Sequence, residues 1–255
     1  MNDKNRGYVV THQHGKVANI EFYHPASNSL PSDLLDALKI QILEAGRLSS
    51  INCIVLRSAG DRAFCAGASF DELLAVHDFQ SGKAFFSGFA GVINAMRTCG
   101  KIVIARIQGK AVGGGVGIAS AADMTFATKY ASVRLSELAI GIGPFVIGPA
   151  VERKVGQSAF SYMSLTPDEW RTADYAYQKG LYNEVFEDAA LMDKHIDDLT
   201  MKLSAYNPEA LARLKSVFWQ DTAHWSRLLE ERAEISGKLV LSEFTRNAID
   251  AFRQK

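Results

Sequence analysis

The stretch Gly109 to Asp123, GKAVGGGVGIASAAD, sets three consecutive glycines and then a fourth among small residues. It follows KIVIARI, residues 101–107, whose apolar, β-branched character reads as a buried strand. Gly109 then turns the chain, and VGIASAA, residues 116–122, has the small side chains of a tightly packed helix. The glycine triplet therefore falls near a helix N-terminus. Free backbone N–H groups there, with the helix dipole behind them, suit an oxygen carrying negative charge, and absent side chains let it come close. Gly113, Gly114, Gly115 and Gly117 equally suit close helix packing or a positive-φ turn. No Lys-Ser or Lys-Thr follows, which removes a phosphate loop. A dinucleotide fingerprint fits poorly, because GVGIAS ends in Ser120 where the last glycine belongs.

A second glycine loop lies upstream in GDRAFCAGASFDELL, Gly60 to Leu74. It follows the apolar run INCIVLR, residues 51–57, and leads into a segment with acids in its first turn. Two loops, each after a strand and before a helix, can aim two N–H donors at one oxygen, which is the arrangement of an oxyanion hole.

Around these loops the chain alternates short β-rich runs with helical ones up to about Glu187. VANIEF, a helix from Ser32 to Ala45, and a helix across Phe85 to Met96 complete an α/β pattern. After Asp188 strand-like runs disappear, and three or four helical stretches follow, punctuated by NPE at Asn207 to Glu209 and by Gly237. The strand, strand, helix rhythm hints at a coil of similar units.

Composition narrows the possible partners. The 255 residues are 47% apolar, enough for a sizeable core, and 28 basic against 28 acidic side chains leave zero formal charge. That balance argues against nucleic acid or an anionic membrane as the main partner. The polar N-terminus MNDKNRGYVVTHQHG lacks an apolar signal core, and no run approaches the roughly 18 apolar residues of a membrane span. A cytoplasmic location is expected. Cys53, Cys65 and Cys99 form no CxxC pair, so neither a disulfide framework nor a metal site is expected.

DRAFCAGASFDEL, IQGKAVGGGVGIASAAD and VRLSELAIGIGP, in this order and spacing, resemble the crotonase superfamily of enoyl-CoA hydratases and isomerases. The likeness extends to HPASNSL, ADYAYQKGLYNEVF and AIDAFRQK, and so covers nearly the whole chain. It implies a spiral of strand-strand-helix units over residues 1–190 holding a CoA-thioester site. It also implies a helical C-terminal region, 191–255, that builds trimers or hexamers made of two trimers. The substrate would be an acyl-CoA thioester, with coenzyme A entering as part of it and no separate cofactor required.

Carried onto this sequence, the resemblance puts the two oxyanion-hole N–H groups at Ala68 and Gly114. The best-known hydratases use two glutamates. This chain has Gly117 at one of those positions and Glu137 at the other, a pattern shared with family isomerases that shuttle a proton on one glutamate. Glu137 is the candidate acid/base, and an apolar acyl pocket would raise its pKa towards neutrality. Ala66, Ser69 and Phe70 fall where the family contacts CoA, and Ser69 also makes a good helix cap. Phe252 and Lys255 match C-terminal residues near the nucleotide, and equally suit a buried aromatic and a frayed lysine.

The remaining residues of interest have plainer readings. His24 reads as a surface or capping histidine, Cys65 as a packed thiol without a basic partner, and Phe85, Phe86 and Phe89 as core at helical spacing beside the acyl pocket. Phe145 and Val146 are bulkier than the glycine-rich stretch common in hydratases and point to altered substrate shape or loop conformation. Double-bond isomerisation of an enoyl-CoA is the leading expectation. Hydration and decarboxylation of a branched acyl-CoA use the same site. A non-catalytic acyl-CoA binder and a nicotinamide-dependent oxidoreductase are the readings from other classes.

Overall fold

A computed structural model describes residues 7–253, with side chains described through Ala251. Two sheets, one mixed and one parallel, grow together as the chain winds. β1 (Tyr8–His14) pairs antiparallel with β2 (Val17–Tyr23), and β3 (Cys53–Ser58), β5 (Ile102–Ile107), β7 (Met124–Thr128) and β9 (Glu184–Phe186) add in parallel, in the order β1-β2-β3-β5-β7-β9. A smaller parallel sheet has the order β4-β6-β8, from β4 (Ala63–Cys65), β6 (Lys110–Val112) and β8 (Val133–Arg134).

Each turn of the winding contributes one strand to each sheet and then a helical segment. β3 and β4 precede α2 (Phe70–Ala75) and α3 (Phe79–Thr98); β5 and β6 precede α4 (Gly114–Ala121). β7 and β8 lead to a 3-10 turn (Glu137–Ile140) and α5 (Gly148–Leu165), which kinks at Gly156. An incomplete first turn runs from β2 through a single parallel bridge, Leu30 with Ala68, into α1 (Ser32–Arg47). These are the strand-strand-helix units expected from the sequence. β6 lies inside the segment whose sequence reads as a turn after Gly109. β1 had been hidden because its outer half is exposed and polar.

The apolar runs of β3 and β5 are buried on both faces, as parallel strands covered on each side are. Ile54, Leu56, Val103 and Ala105 face the central core, while Cys53, Val55, Ile102 and Ile104 face Met192, Ile196, Leu203 and Leu211. Those last four belong to α7 (Ala189–Ala205) and α8 (Pro208–Phe218), which follow α6 (Ala173–Gln178). Among the described residues no helix is long and apolar enough to cross a membrane.

Gly237 corrects the sequence reading. It does not punctuate the C-terminal helices but lies inside α9 (Trp225–Leu239), before α10 (Glu243–Arg253). α9 crosses α3 there so closely that a Cβ on Gly82 would sit 2.8 Å from the Gly237 carbonyl oxygen. Lys83 fastens the crossing by donating to Glu230 at 2.8 Å and Glu234 at 2.9 Å. α3 also begins earlier than Phe85, because Asp78 and Ser81 form a reciprocal capping box. A Cβ on Gly237 would lie 2.7 Å from the Lys83 amide nitrogen, a backbone atom with little room to move. Gly237→Ala should therefore lower stability by about 1–3 kcal/mol, several degrees in Tm, despite alanine's better helix propensity. Gly91→Ala, whose methyl would meet only the flexible Lys39 chain at 3.1 Å, should leave Tm unchanged or raised. Calorimetric melting of the two variants checks the contrast.

Candidate active site

The three strands of the smaller sheet end side by side, and each delivers one part of the site. β4 runs into Ala66, Gly67 and Ala68; β6 into the glycine triplet; β8 into Ser136 and Glu137. Gly113 N–H donates to Arg134 O at 2.9 Å, which locks the second loop to the third. The first two loops touch as well. A Cβ on Gly67, whose φ is +91°, would lie 3.1 Å from Val112 O and 3.6 Å from Gly114 N, and one on Gly115 would strike Cys65 O at 2.5 Å.

Peptide planarity fixes where the donors face. Gly67 C=O accepts from Leu30 N–H at 2.8 Å, so the Ala68 N–H of the same planar unit points away from Leu30. Gly113 C=O accepts from Val116 at 2.9 Å and Gly117 at 3.2 Å, turning the Gly114 N–H out of the helix. Among the described residues neither N–H makes a backbone hydrogen bond, and Ala68 and Gly114 line one cavity of about 170 Å³. Two such donors at one point are able to hold an oxygen that gains negative charge.

Glu137 lies against this point. A Cβ on Gly113 would come within 2.9 Å of Glu137 Oε1, so a side chain there would push the carboxylate aside, and the φ of +51° itself favours glycine. Glu137 Oε2 is buried with no hydrogen-bond partner among the described residues. Burial pushes the carboxyl from its ordinary 4.5 up to about 7, opposed only by its own backbone N–H.

The cavity continues over apolar side chains, Leu73, Phe85, Phe89, Ile142, Phe145 and Val146 among them. Phe85, Phe86 and Phe89 are thus both core and cavity wall, and a Cβ on Gly114 would overlap the Phe89 ring at 2.2 Å. At Gly117 the space a side chain would need belongs to Ile147, whose Cγ2 lies 2.4 Å from the position of a Cβ. Ile147 had no signal in the sequence, since its partner lies thirty residues away.

Ala66, Ser69 and Phe70 line this cavity and also the adjoining cleft, of about 410 Å³, that opens beside it. Ser69 caps α2 by accepting from Glu72 N–H at 3.3 Å. The cleft holds Arg134, whose guanidinium stacks on Trp170 at 4.7 Å and whose Nε is buried and unpartnered among the described residues. Arg134 was not singled out in the sequence. His24 caps its own turn, Nδ1 accepting from Ala26 N–H at 3.3 Å and meeting Ser29 Oγ at 3.0 Å. Cys65 is buried and its thiol is pushed up to about 12, so it is inert packing. The backbone of Phe252 belongs to α10, but its side chain and all of Lys255 lie outside the described residues. No three His, Cys, Asp or Glu side chains among the described residues gather to hold a metal.

The buried carboxyl has a measurable consequence. Between 4.5 and about 7 the folded protein keeps a proton that the unfolded chain has released, so rising pH costs stability across this window. Glu137→Gln cannot ionise, and should gain on the wild type as pH rises through the window, by up to about 3 kcal/mol. Urea unfolding of both proteins from acid to mildly basic pH reads the difference; parallel curves would contradict a sealed carboxyl.

The enoyl-CoA hydratase/isomerase family model matches residues 12–254. The short-chain-enoyl-CoA hydratase of Clostridium acetobutylicum is 29% identical over 97% of this chain and 95% of its own. A carnitinyl-CoA dehydratase of Proteus mirabilis is 30% identical over 80% of this chain and 77% of its own. The crystal structure of an enoyl-CoA hydratase from Mycobacterium avium matches with a TM-score of 0.86 at 27% identity, covering 96% of each chain. One from Bacillus halodurans matches at 0.89 with 21% identity over 96% of this chain and 99% of that one, a likeness of fold alone. The paired sheets wound from strand-strand-helix units are thus the crotonase fold, and the chain belongs to the enoyl-CoA hydratase/isomerase family.

Proposed function

We propose that this protein isomerises the double bond of an enoyl-CoA, using Glu137 as its single acid/base and the N–H groups of Ala68 and Gly114 as an oxyanion hole. The observation that carries the reading is one carboxyl with a buried, unpartnered oxygen, its pKa raised to about 7, beside the two N–H donors in a largely apolar cavity. Family isomerases work with such a single glutamate.

In the forward step the Glu137 carboxylate takes a proton from the second carbon of a 3-enoyl thioester. The electron pair of that C–H bond moves through the carbonyl carbon onto the thioester oxygen, giving a dienolate. Its charge grows on the oxygen held by the two N–H groups, each worth about 3 kcal/mol in such a site. Glu137 then returns the proton to the fourth carbon as the electrons fall back, and the double bond lies conjugated with the thioester. No atom is gained or lost. A carboxyl titrating near neutrality is matched to both transfers. Ser69, Phe70 and Ala66, in the cleft beside the cavity, would contact the coenzyme A portion.

Gly117 and Ile147 support one carboxylate rather than two. A second glutamate at Gly117 would need the volume that Ile147 fills. Hydration is the second reading, favoured by the hydratase and dehydratase names of the relatives described above. It would require Glu137 both to activate water and to protonate the second carbon.

Ultraviolet absorbance of the conjugated thioester separates the two. A 3-enoyl-CoA should give rising absorbance, with the rate increasing as pH passes about 7 from below, and Glu137→Gln should remove about a hundredfold to ten-thousandfold. A flat trace, with absorbance instead falling on a 2-enoyl-CoA, would replace isomerisation by hydration. Gly117→Glu should not create a hydratase and should lower Tm, and pairing it with Ile147→Ala should recover much of the lost stability.

A further inference from the structure

Three serines line the cavity and take no part in the proton transfers above: Ser69 caps α2, Ser136 adjoins Glu137, and Ser236 stands away from both. Ser236, on α9, is 1% exposed and lines the cavity with Phe85 and Phe86 of α3. Several helical serines in this chain satisfy their hydroxyls by donating to the carbonyl four residues back, as Ser87, Ser120, Ser164 and Ser216 do. Ser236 makes no such bond, and among the described residues its hydroxyl has no hydrogen-bond partner. The hydroxyl is not sealed in the packing but reaches the cavity, where a bound molecule can meet it.

Position along α3 gives the hydroxyl its distance from the chemistry. Phe89 packs on Gly114, at the thioester end, whereas Gly82 meets Gly237, the neighbour of Ser236. From Phe89 back to Gly82 is about two turns of helix, roughly 10 Å. Ser236 therefore faces the acyl chain several carbons beyond the reacting ones. Among the described residues no Lys, Arg or His lines the cavity, so a carboxylate at that depth would find no counter-charge from them.

We propose that Ser236 is a specificity residue that hydrogen-bonds a neutral oxygen, a hydroxyl or ketone, on the distal part of the acyl chain, so that the substrate is an oxygenated acyl-CoA. This rests on the acyl-CoA reading above but not on which reaction follows. A site built to hydrogen-bond a substrate oxygen discriminates strongly against the chain lacking it.

Binding of saturated thioesters tests the proposal without turnover. Octanoyl-CoA is compared by calorimetry with its hydroxy derivatives, the hydroxyl moved outward one carbon at a time from the fourth, on the wild type and Ser236→Ala. At least one derivative should bind the wild type about tenfold tighter than octanoyl-CoA, the worth of one good hydrogen bond. Ser236→Ala should abolish that preference, bind octanoyl-CoA at least as tightly, and melt no lower. Equal affinity for every derivative, or a variant that weakens all of them alike, would overturn the proposal. Failure of octanoyl-CoA itself to bind would instead remove the acyl-CoA reading beneath it. Binding with a flat enoyl-CoA trace would leave this proposal standing and remove only isomerisation.

Discussion

The contact between the Glu137 carboxylate and the bare Cα of Gly113 is the constraint on which the site depends. The φ of +51° at that residue asks for glycine, and any side chain there would displace the carboxylate, whose oxygen lies 2.9 Å from where a Cβ would stand. The contact exists because β6 and β8 are hydrogen-bonded neighbours, with Gly113 N–H donating to Arg134 O just before the chain turns into Glu137. Because β4 pairs with β6 on the other side, the loop carrying Ala68 is held in the same register. Three segments separated by tens of residues thus converge through one small sheet.

Holding a carboxyl in an apolar setting is destabilising at neutral pH, and the surrounding packing offsets it. The 3-10 turn that begins at Glu137 ends at Gly141, and α10 closes over it, with Phe244 and Thr245 where a Gly141 side chain would be. Leu73, Phe85, Ile142, Val240 and Ile249 join α2, α3, α9 and α10 into a cluster of their own at this end of the molecule. α9 and α10 thus back the wall of the cavity, and α9 carries Ser236 into it. On the far side of the main sheet a buried Asp123 accepts from Lys215, Trp219 Nε1 and Val103 N–H, each at 2.7 Å, fixing α8 to the strands. With both members nearly inaccessible, removing Asp123 would strand a buried ammonium.

The glycine loops were legible because a glycine in a strand-to-helix turn has a local meaning, either positive φ or close approach, and both hold at Gly113 and Gly67. Glu137 and the pair Ala68 and Gly114 were reachable through motif order. Gly237 was misread for the same reason the loops were read well: a glycine suggests a break, and nothing local says that it faces another glycine across a helix crossing. Ile147, Arg134 and Ser236 carried no signal, since their importance comes from what they touch.

By itself the sequence determined the α/β winding, the two loops that offer backbone donors and the survival of one glutamate, because strand runs, turn glycines and motif spacing are written along the chain. Only the tertiary structure decided that one oxygen of the glutamate is buried without a partner and its pKa pushed up to about 7, that Ile147 fills the space beside Gly117, and that the Ser236 hydroxyl, unpartnered among the described residues, faces the cavity. Burial and close contact are properties of pairs of distant residues, and they come into being when the sheets bring those pairs together.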